Sequence, residues 1–533
     1  MRNMLALVFS LLLVLTSETA GATAVDASAS LHGSVRDNQG KPISGAMIEI
    51  RNVEKGITVT VFSDQGSYRA NDLDSGPCEI SAGFAGHAPS VKDKLNLGTG
   101  KDSVYDITMP VDAGSPIVTP ADWIPVLPDD KDGAKELFLN RCVNCHGPAE
   151  VYRLHFDRLN WKKVILEMNR MFRLEASVRP DYRNVSDAEA VPVDNEEIER
   201  LADYLTKHFG PQSAQQQTPA PQPVSYRNGH TDANVIITQF DIPTRRAMPH
   251  NVNFSPNGDV WFSERNGNKI GVLNPKTGQF KEFVLPAGLD RPTPTMADKK
   301  GTIWWGTGDV LGRLDPVSGQ LKQYPMPQKN SGLHSIFIGP DGTVWMSENA
   351  GGRIASFDPQ KETFQEYTIP TKHSRPYGLT VDSHNNVWFC EFGGDKIGRL
   401  DPATGKMQEY EPPTPYSGPR RPNLDREENL WFTEYNVNKI AKLDRNTGKI
   451  SEWQVPTRDS GPYDIVIDPR GKVWFDEFTS NKIVKFDPAT AQFTEYTLPG
   501  RDSQVRKMSV DPTGGVWLAE YTGGRIIRVM EKR

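Results

Sequence analysis

Four cysteines in 533 residues exclude a disulfide-built scaffold. Cys78 and Cys390 stand far apart in the chain and read as buried thiols rather than as a bridge. The apolar run Met4 to Leu15 is too short to span a bilayer and no later stretch is better, so no transmembrane anchor is expected. Charge of either sign is nearly balanced, with a net of −6, which argues against nucleic acid or an anionic membrane as a partner. What remains is a chain with ample apolar residues for several cores and with length for several domains.

The N-terminus carries the marks of export. Arg2 precedes the apolar run, and Ala22-Thr23-Ala24 forms a small-residue cleavage site. Residues 1–24 are therefore expected to be a signal peptide, and the protein to be periplasmic or secreted. The densest chemical motif is Cys142-Val143-Asn144-Cys145-His146, the C-x-x-C-H pattern of covalent haem c attachment. Two thiols at this spacing can each bond one vinyl group, and the adjacent imidazole can reach the iron. No second cysteine pair exists to complete a zinc site.

Residues 31–112 alternate apolar and polar residues in short runs, such as Leu31 to Val35 and Ala46 to Ile50, separated by turn clusters such as Asp37 to Pro42. A small β-sandwich is expected. Through Gly33-Ser34-Val35, Gly40-Lys41-Pro42-Ile43-Ser44-Gly45-Ala46, Gly66-Ser67-Tyr68 and Gly83-Phe84-Ala85-Gly86 this stretch resembles the carboxypeptidase regulatory-like domain family, which implies a non-catalytic module. A proline-bearing linker spans 113–129.

Residues 130–211 show three helical patterns, at Lys131 to Asn140, Trp161 to Phe172 and Glu196 to Phe209. Three helices around a C-x-x-C-H resemble a class I cytochrome c, which implies a small all-α domain. The sixth iron ligand must come from downstream. The run Trp161 to Met168 resembles the methionine-bearing helix of short bacterial cytochromes c, implying that His146 and Met168 ligate the metal; Met171 and His155 are the alternatives. Residues 212–232, rich in Gln, Pro and Ala, form a second linker.

From 233 to 533 the chain repeats. Trp261, Trp304, Trp345, Trp388, Trp431, Trp474 and Trp517 recur every 43 residues, with one gap of 41. That period, with turn signals in every unit, indicates a β-propeller of seven four-stranded blades. The seventh unit stops after three strands, and Val235 to Phe240 is expected to supply its fourth. The overall fold class expected is thus multidomain: sandwich, all-α cytochrome c domain and seven-bladed propeller.

Reading each inner hairpin outward from its turn yields two rings of residues at the axis. The first is His250, Thr293, His334, Tyr377, Arg420, Tyr463 and Arg506, whose variation marks a candidate binding mouth. The second is Glu264, Thr307, Glu348, Glu391, Glu434, Glu477 and Glu520. Every Glu of this ring has a Lys or Arg five residues later, and the blade without the Glu lacks the cation, which suggests structural ion pairs.

Through Gly339-Pro340-Asp341-Gly342-Thr343-Val344-Trp345 and Asn438-Lys439-Ile440 this half resembles the virginiamycin B (streptogramin) lyase family. The resemblance implies ring opening of a cyclic depsipeptide at its ester by elimination, with a histidine base, a nearby Glu and Mg2+. His334 and Glu348 fit that pair, whereas Thr293 stands where a second histidine belongs. Three functions follow as expectations. The first is an exported monohaem cytochrome, an electron-transfer protein meeting a redox partner protein or a small-molecule substrate at the propeller mouth. The alternatives are a carbon–oxygen lyase and an extracellular ligand-binding propeller.

Overall fold

The computed structural model describes residues 28–84, 87–88, 90, 92–111, 130, 132–138, 156–166, 195–211, 234–289, 291–458, 460–500 and 503–532. Alternating burial builds the first unit. Strand β1 (Ala29–Asp37) turns Ala29, Leu31 and Val35 inward, and β2 (Met47–Asn52) turns in Ile48 and Ile50. The remaining strands are β3 (Ile57–Phe62), β4 (Ser67–Leu73), β5 (Gly76–Gly83), β6 (Asp93–Leu97), β7 (Asp102–Val104) and β8 (Ile107–Met109). One sheet holds β4, β1, β7 and β8; the other runs β3-β2-β5-β6. Their inner faces close over Leu31, Val35, Ile50, Tyr68 and Ile80. The buried Tyr68 hydroxyl is satisfied by the Tyr105 carbonyl at 2.7 Å. Gly33 is required beneath that carbonyl, since a Cβ there would lie 1.8 Å from its oxygen.

The middle unit corrects one expectation. Its described residues contain helix α1 (Ala134–Phe138), helical residues 158–166 and helix α2 (Asn195–Phe209). Asp130 accepts the amides of Ala134 and Lys135 at 2.9 and 2.6 Å and starts α1. Leu137, Phe138, Trp161, Ile165, Leu201 and Leu205 then pack together. The Phe138 ring lies 6.3 Å from Tyr204 and 6.4 Å from Phe209. An all-α cytochrome c domain is not supported: the described chain is almost wholly β, and its few helical residues fill their core with one another's side chains. Helical spacing reports an apolar face seeking cover and carries no information about a cofactor. Cys142, Cys145, His146, His155, Met168 and Met171 lie outside the described residues, as do the expected signal peptide and both linkers. Among the described residues no helix is long and apolar enough to cross a membrane.

The second half forms seven four-stranded antiparallel sheets. Blades 1 to 6 span Pro249–Val284, Thr295–Pro325, Leu333–Thr368, Pro376–Tyr410, Pro419–Gln454 and Pro462–Thr497. The first strands of successive blades touch in order, and that of the seventh touches that of the first, closing a ring. The recurrent tryptophans fasten the inner hairpins. Trp388, Trp431, Trp474 and Trp517 donate Nε1–H to Asp382, Asp425, Asp468 and Asp511 at 2.9–3.3 Å. In blade 1 Ser255 takes the aspartate's role at 3.1 Å. In blade 3 the place belongs to Gly339, and the Trp345 Nε1–H is left without a partner.

Blade 7 pairs three C-terminal strands with β9 (Val235–Asp241), as expected. The outer edge of β9 is not free, however. It pairs antiparallel with β3 of the sandwich, Ile57 opposite Phe240 and Thr60 opposite Ile237. Sandwich and propeller therefore share one eight-stranded sheet. Ile57 packs against Phe240, Phe280 and Trp517, and Phe62 joins Tyr496, Val505 and Val516.

Since this seam is apolar and hydrogen-bonded, the two units should unfold together. Calorimetry of the intact chain should show the sandwich melting with the propeller. Ile57→Asp should cost about 2–4 kcal/mol and split off an earlier transition. An unshifted single transition in that variant would remove the mechanical coupling.

Candidate functional site at the propeller axis

The inner strand of each blade delivers one side chain to the axis, and a β-bulge sets which one. The residue facing each ring Glu is Pro249, Leu333, Pro376, Pro419, Pro462 or Val505, and the pairing then slips. The axial residue is the next one along: His250, His334, Tyr377, Arg420, Tyr463 or Arg506. The simple hairpin register, which set His250 opposite Glu264, is thus displaced by one. A bulge re-aims a side chain in this way. It separates the two rings that the sequence placed together.

The first ring converges. The His334 ring lies 3.9 Å from Tyr377 and 6.2 Å from His250. The Tyr377 and Tyr463 hydroxyls are hydrogen-bonded to each other. The Arg420 guanidinium sits 4.1 Å from Tyr463, 4.3 Å from Tyr435, 4.7 Å from Tyr377 and 4.9 Å from Phe392. Arg506 lies 4.6 Å from both Phe478 and Tyr521. Thr293, the blade 2 member, turns its hydroxyl to the Arg291 carbonyl instead.

The electrostatics are those of buried positive charge. His250 is 3% exposed, and burial, with Arg265 and Arg421 nearby, holds it well below the ordinary histidine range. Burial followed by Arg421 does the same to His334. Both imidazoles are neutral near pH 7. His334 Nδ1 lies 3.3 Å from both the Tyr377 carbonyl, which can only accept, and the Ser335 hydroxyl; in the tautomer with the proton on Nδ1 the carbonyl is satisfied and Nε2 keeps its lone pair. Burial opposes ionisation of Tyr463, but Arg420, Arg506 and Arg421 override it and draw its phenol below the usual range.

Several of these groups escaped sequence reasoning. Arg421 follows the ring position of blade 5 and comes within 5.2 Å of the Tyr377 ring. Arg265, Phe392, Tyr435, Phe478 and Tyr521 each follow the ring Glu of their blade. The recurrence of a large ring or an arginine at that offset is the signal that would have found them.

The second ring does something else. Lys269, Lys396, Lys439 and Lys482 turn from the ring Glu to Glu282, Glu409, Glu452 and Glu495 on the outer strand, at 2.6–2.9 Å. A threonine completes each clamp: Thr244, Thr371, Thr414 or Thr457. Direct pairing of the expected kind is found at Arg353, whose Nε is 2.8 Å from Glu348, and more loosely between Arg525 and Glu520 at 3.7 Å. Burial, then the neighbouring Glu409 or Glu452, pushes Glu391 and Glu434 up to about 8. Glu264, Glu348 and Glu477 shift the same way, for burial first. Glu391 and Glu434 are therefore buried acids that keep their protons near pH 7.

Glu348 is fully buried and spends its carboxylate on Arg353, while His334 faces Tyr377, so the structure does not join the two as a catalytic pair. Among the described residues no three His, Cys, Asp or Glu converge in a way that could hold a metal ion. A mouth lined by guanidinium groups suits Mg2+ poorly, and the donor set does not fit it.

Residues 305–533 match the virginiamycin B lyase family, and residues 30–110 the carboxypeptidase regulatory-like domain. A solved structure described as streptogramin B lyase shares 30% identity, with a TM-score of 0.53, over 56% of this chain and 98% of that one. The virginiamycin B lyase of Staphylococcus aureus shares 26% identity over 56% of this chain and 100% of its own, also at a TM-score of 0.53. A catalytically inactive histidine-to-alanine form of that enzyme, solved with quinupristin, matches equally well. No curated protein matches. Neither matching family is a cytochrome, and with no all-α domain and no metal-holding cluster among the described residues, the expectation of a haem electron-transfer protein is set aside.

Protonated Glu391 and Glu434 make stability depend on pH. Between about 4.5 and 8 the unfolded chain ionises these carboxyls while the folded one keeps its protons. Their contribution is fully present below the lower value and lost as pH rises through the upper. Glu391→Gln should match the parent near pH 5 and melt roughly 2 °C or more above it at pH 9. A lower melting temperature at pH 9 would mean that the carboxylate is ionised and paired.

Proposed function

Since the chain belongs, through its propeller, to the virginiamycin B lyase family, we propose that it is an exported carbon–oxygen lyase that opens an ester-linked ring, such as a cyclic depsipeptide, by elimination. The observation that carries this reading is His334. It is a half-buried, uncharged imidazole at the axis, and in the tautomer with Nδ1–H turned to the Tyr377 carbonyl its Nε2 is left to take a proton. His334 removes the proton from the carbon next to the substrate carbonyl. Arg420 and Arg421 stand where negative charge develops on that carbonyl oxygen, in place of a metal ion. The bond to the ester oxygen breaks, and the carboxylate leaves. Nδ1–H keeps donating to the Tyr377 carbonyl throughout, so a single tautomer serves the step. The sandwich holds blade 7 from outside and takes no part in the chemistry.

The test uses the full chain with quinupristin and mass spectrometry. Elimination opens the ring with no change in mass, whereas hydrolysis adds water. His334→Ala should lower kcat by roughly 10²-fold or more. Because the folded imidazole is held well below its ordinary value, the basic form persists as pH falls through 6.5. The kcat/KM profile should therefore stay flat across the range where a solvent-exposed histidine would lose activity. A fall centred at 6.5, or full activity in His334→Ala, removes His334 as the base.

A further inference from the structure

Four guanidinium groups and one ammonium meet at the axis: Arg265, Arg420, Arg421, Arg506 and Lys507. Aromatic rings cover the faces of Arg420, Arg421 and Arg506, as the distances above show. Their N–H edges are a different matter. Arg420 makes one long bond, 3.3 Å, to the Tyr377 hydroxyl, and Arg506 another, 3.4 Å, to that of Tyr463. The Nε groups of Arg265, Arg420, Arg421 and Arg506, and Nη2 of Arg421, are buried and lack any hydrogen-bond partner. Arg421 is 2% exposed. Buried donors are normally satisfied, and an unmet charged one is costly.

The acids nearby are Asp464 and Asp476, and no ion pair joins either to an axial arginine among the described residues. Asp464 accepts the Met508 amide at 2.6 Å and faces Lys507, whose ammonium is brought to about 8 chiefly by burial. Asp476 accepts the Asp464 amide at 2.8 Å, and burial keeps it protonated. A cation–π stack covers the face of a guanidinium and leaves its edge for a planar oxyanion, which it grips with two parallel bonds. A neutral depsipeptide brings no such group.

We propose that the axial cluster is a receptor for an organic carboxylate, and that the substrate of the elimination carries this carboxylate on the carbon that loses its proton, with an oxygen substituent on the next carbon. A uronic acid residue within an acidic oligosaccharide has this arrangement. The proposal rests on the lyase reading and narrows its substrate. The reason is electrostatic: removing a proton beside a carboxylate places a second negative charge on that group, and water-excluded guanidinium groups are what makes this accessible. His334 Nε2 takes the proton, and the C–H electron pair becomes the new C=C bond. The C–O bond on the next carbon breaks, and its electron pair leaves with the oxygen. Tyr377, whose hydroxyl is hydrogen-bonded to the Tyr463 oxygen, hands a proton to the leaving oxygen. An unsaturated carboxylate and an alcohol result, with no oxidant or co-reactant.

The experiment titrates the full chain with a galacturonate oligomer, with its methyl ester and with inorganic phosphate, and follows the ultraviolet absorbance of an unsaturated acid. The acid should bind roughly tenfold or more tighter than the ester, and the absorbance should rise with the acid. Arg421→Gln should abolish that preference by weakening binding of the acid roughly tenfold or more. The acid–ester comparison is made on the unaltered protein, so it stands even if the variant folds poorly. Equal binding of acid and ester, or phosphate competing as strongly as the acid, overturns the carboxylate receptor. Binding without absorbance change overturns the substrate assignment. Opening of quinupristin with no acid binding leaves the lyase reading intact and removes this one; acid binding and turnover with quinupristin untouched does the reverse for the depsipeptide.

Discussion

Everything at the axis depends on β9. A propeller is a sheet array bent into a circle, and it holds only if its last blade is tied to its first. Strand Val235–Asp241 precedes blade 1 in sequence yet lies on the outer edge of blade 7. Its hydrogen bonds join the two ends of a long chain and fix how closely the seven inner strands approach. The usual cost of such a strand is an exposed outer edge, open to pairing with other chains. Here β3 of the sandwich covers it, and Arg51 and Arg525 both reach Asp241 at the seam. The sandwich thus acts as the outer continuation of blade 7.

The rigid ring lets the protein bury charge that a looser scaffold would expel. Arg420, Arg421 and Arg506 crowd into a space walled by aromatic rings, and they have no carboxylate of their own among the described residues. Their collective field, with burial, keeps His250 and His334 uncharged and draws Tyr463 toward ionisation. An imidazole in this setting is a free base at any ordinary pH, and the positive surroundings favour whatever negative charge forms beside it.

One strand further out in the blades the same scaffold does the opposite. In four blades the ring Glu sits against a second Glu whose charge is already claimed by a lysine and a threonine. Of the two carboxyls only the outer one can ionise, so the inner one keeps its proton. The spacing Glu to Lys in the sequence looked like a simple pair. The third partner, thirteen residues beyond the lysine, becomes adjacent only when the fourth strand folds back, which is why five-residue spacing was read as a bond that in four blades goes elsewhere.

The tryptophan period, the turn residues and the strand alternation are local properties, and they determined the sandwich and the propeller without aid. The residue types of the axial ring were also legible, because they break a repeat that otherwise has no reason to vary. The helical spacing around residues 130–211 was legible as helix, but the all-α cytochrome c domain expected from it together with Cys142 to His146 is not supported, because the described helices bury their apolar faces against one another. Tertiary structure alone decided three matters. It moved His334 away from Glu348, because a bulge is a backbone event with no residue signature here. It brought Arg421 and the rings that follow each Glu to the axis, because convergence from seven blades is invisible along one. It joined β3 to β9, because pairing between strands some 180 residues apart depends on which edges the fold leaves open, and no local pattern encodes that.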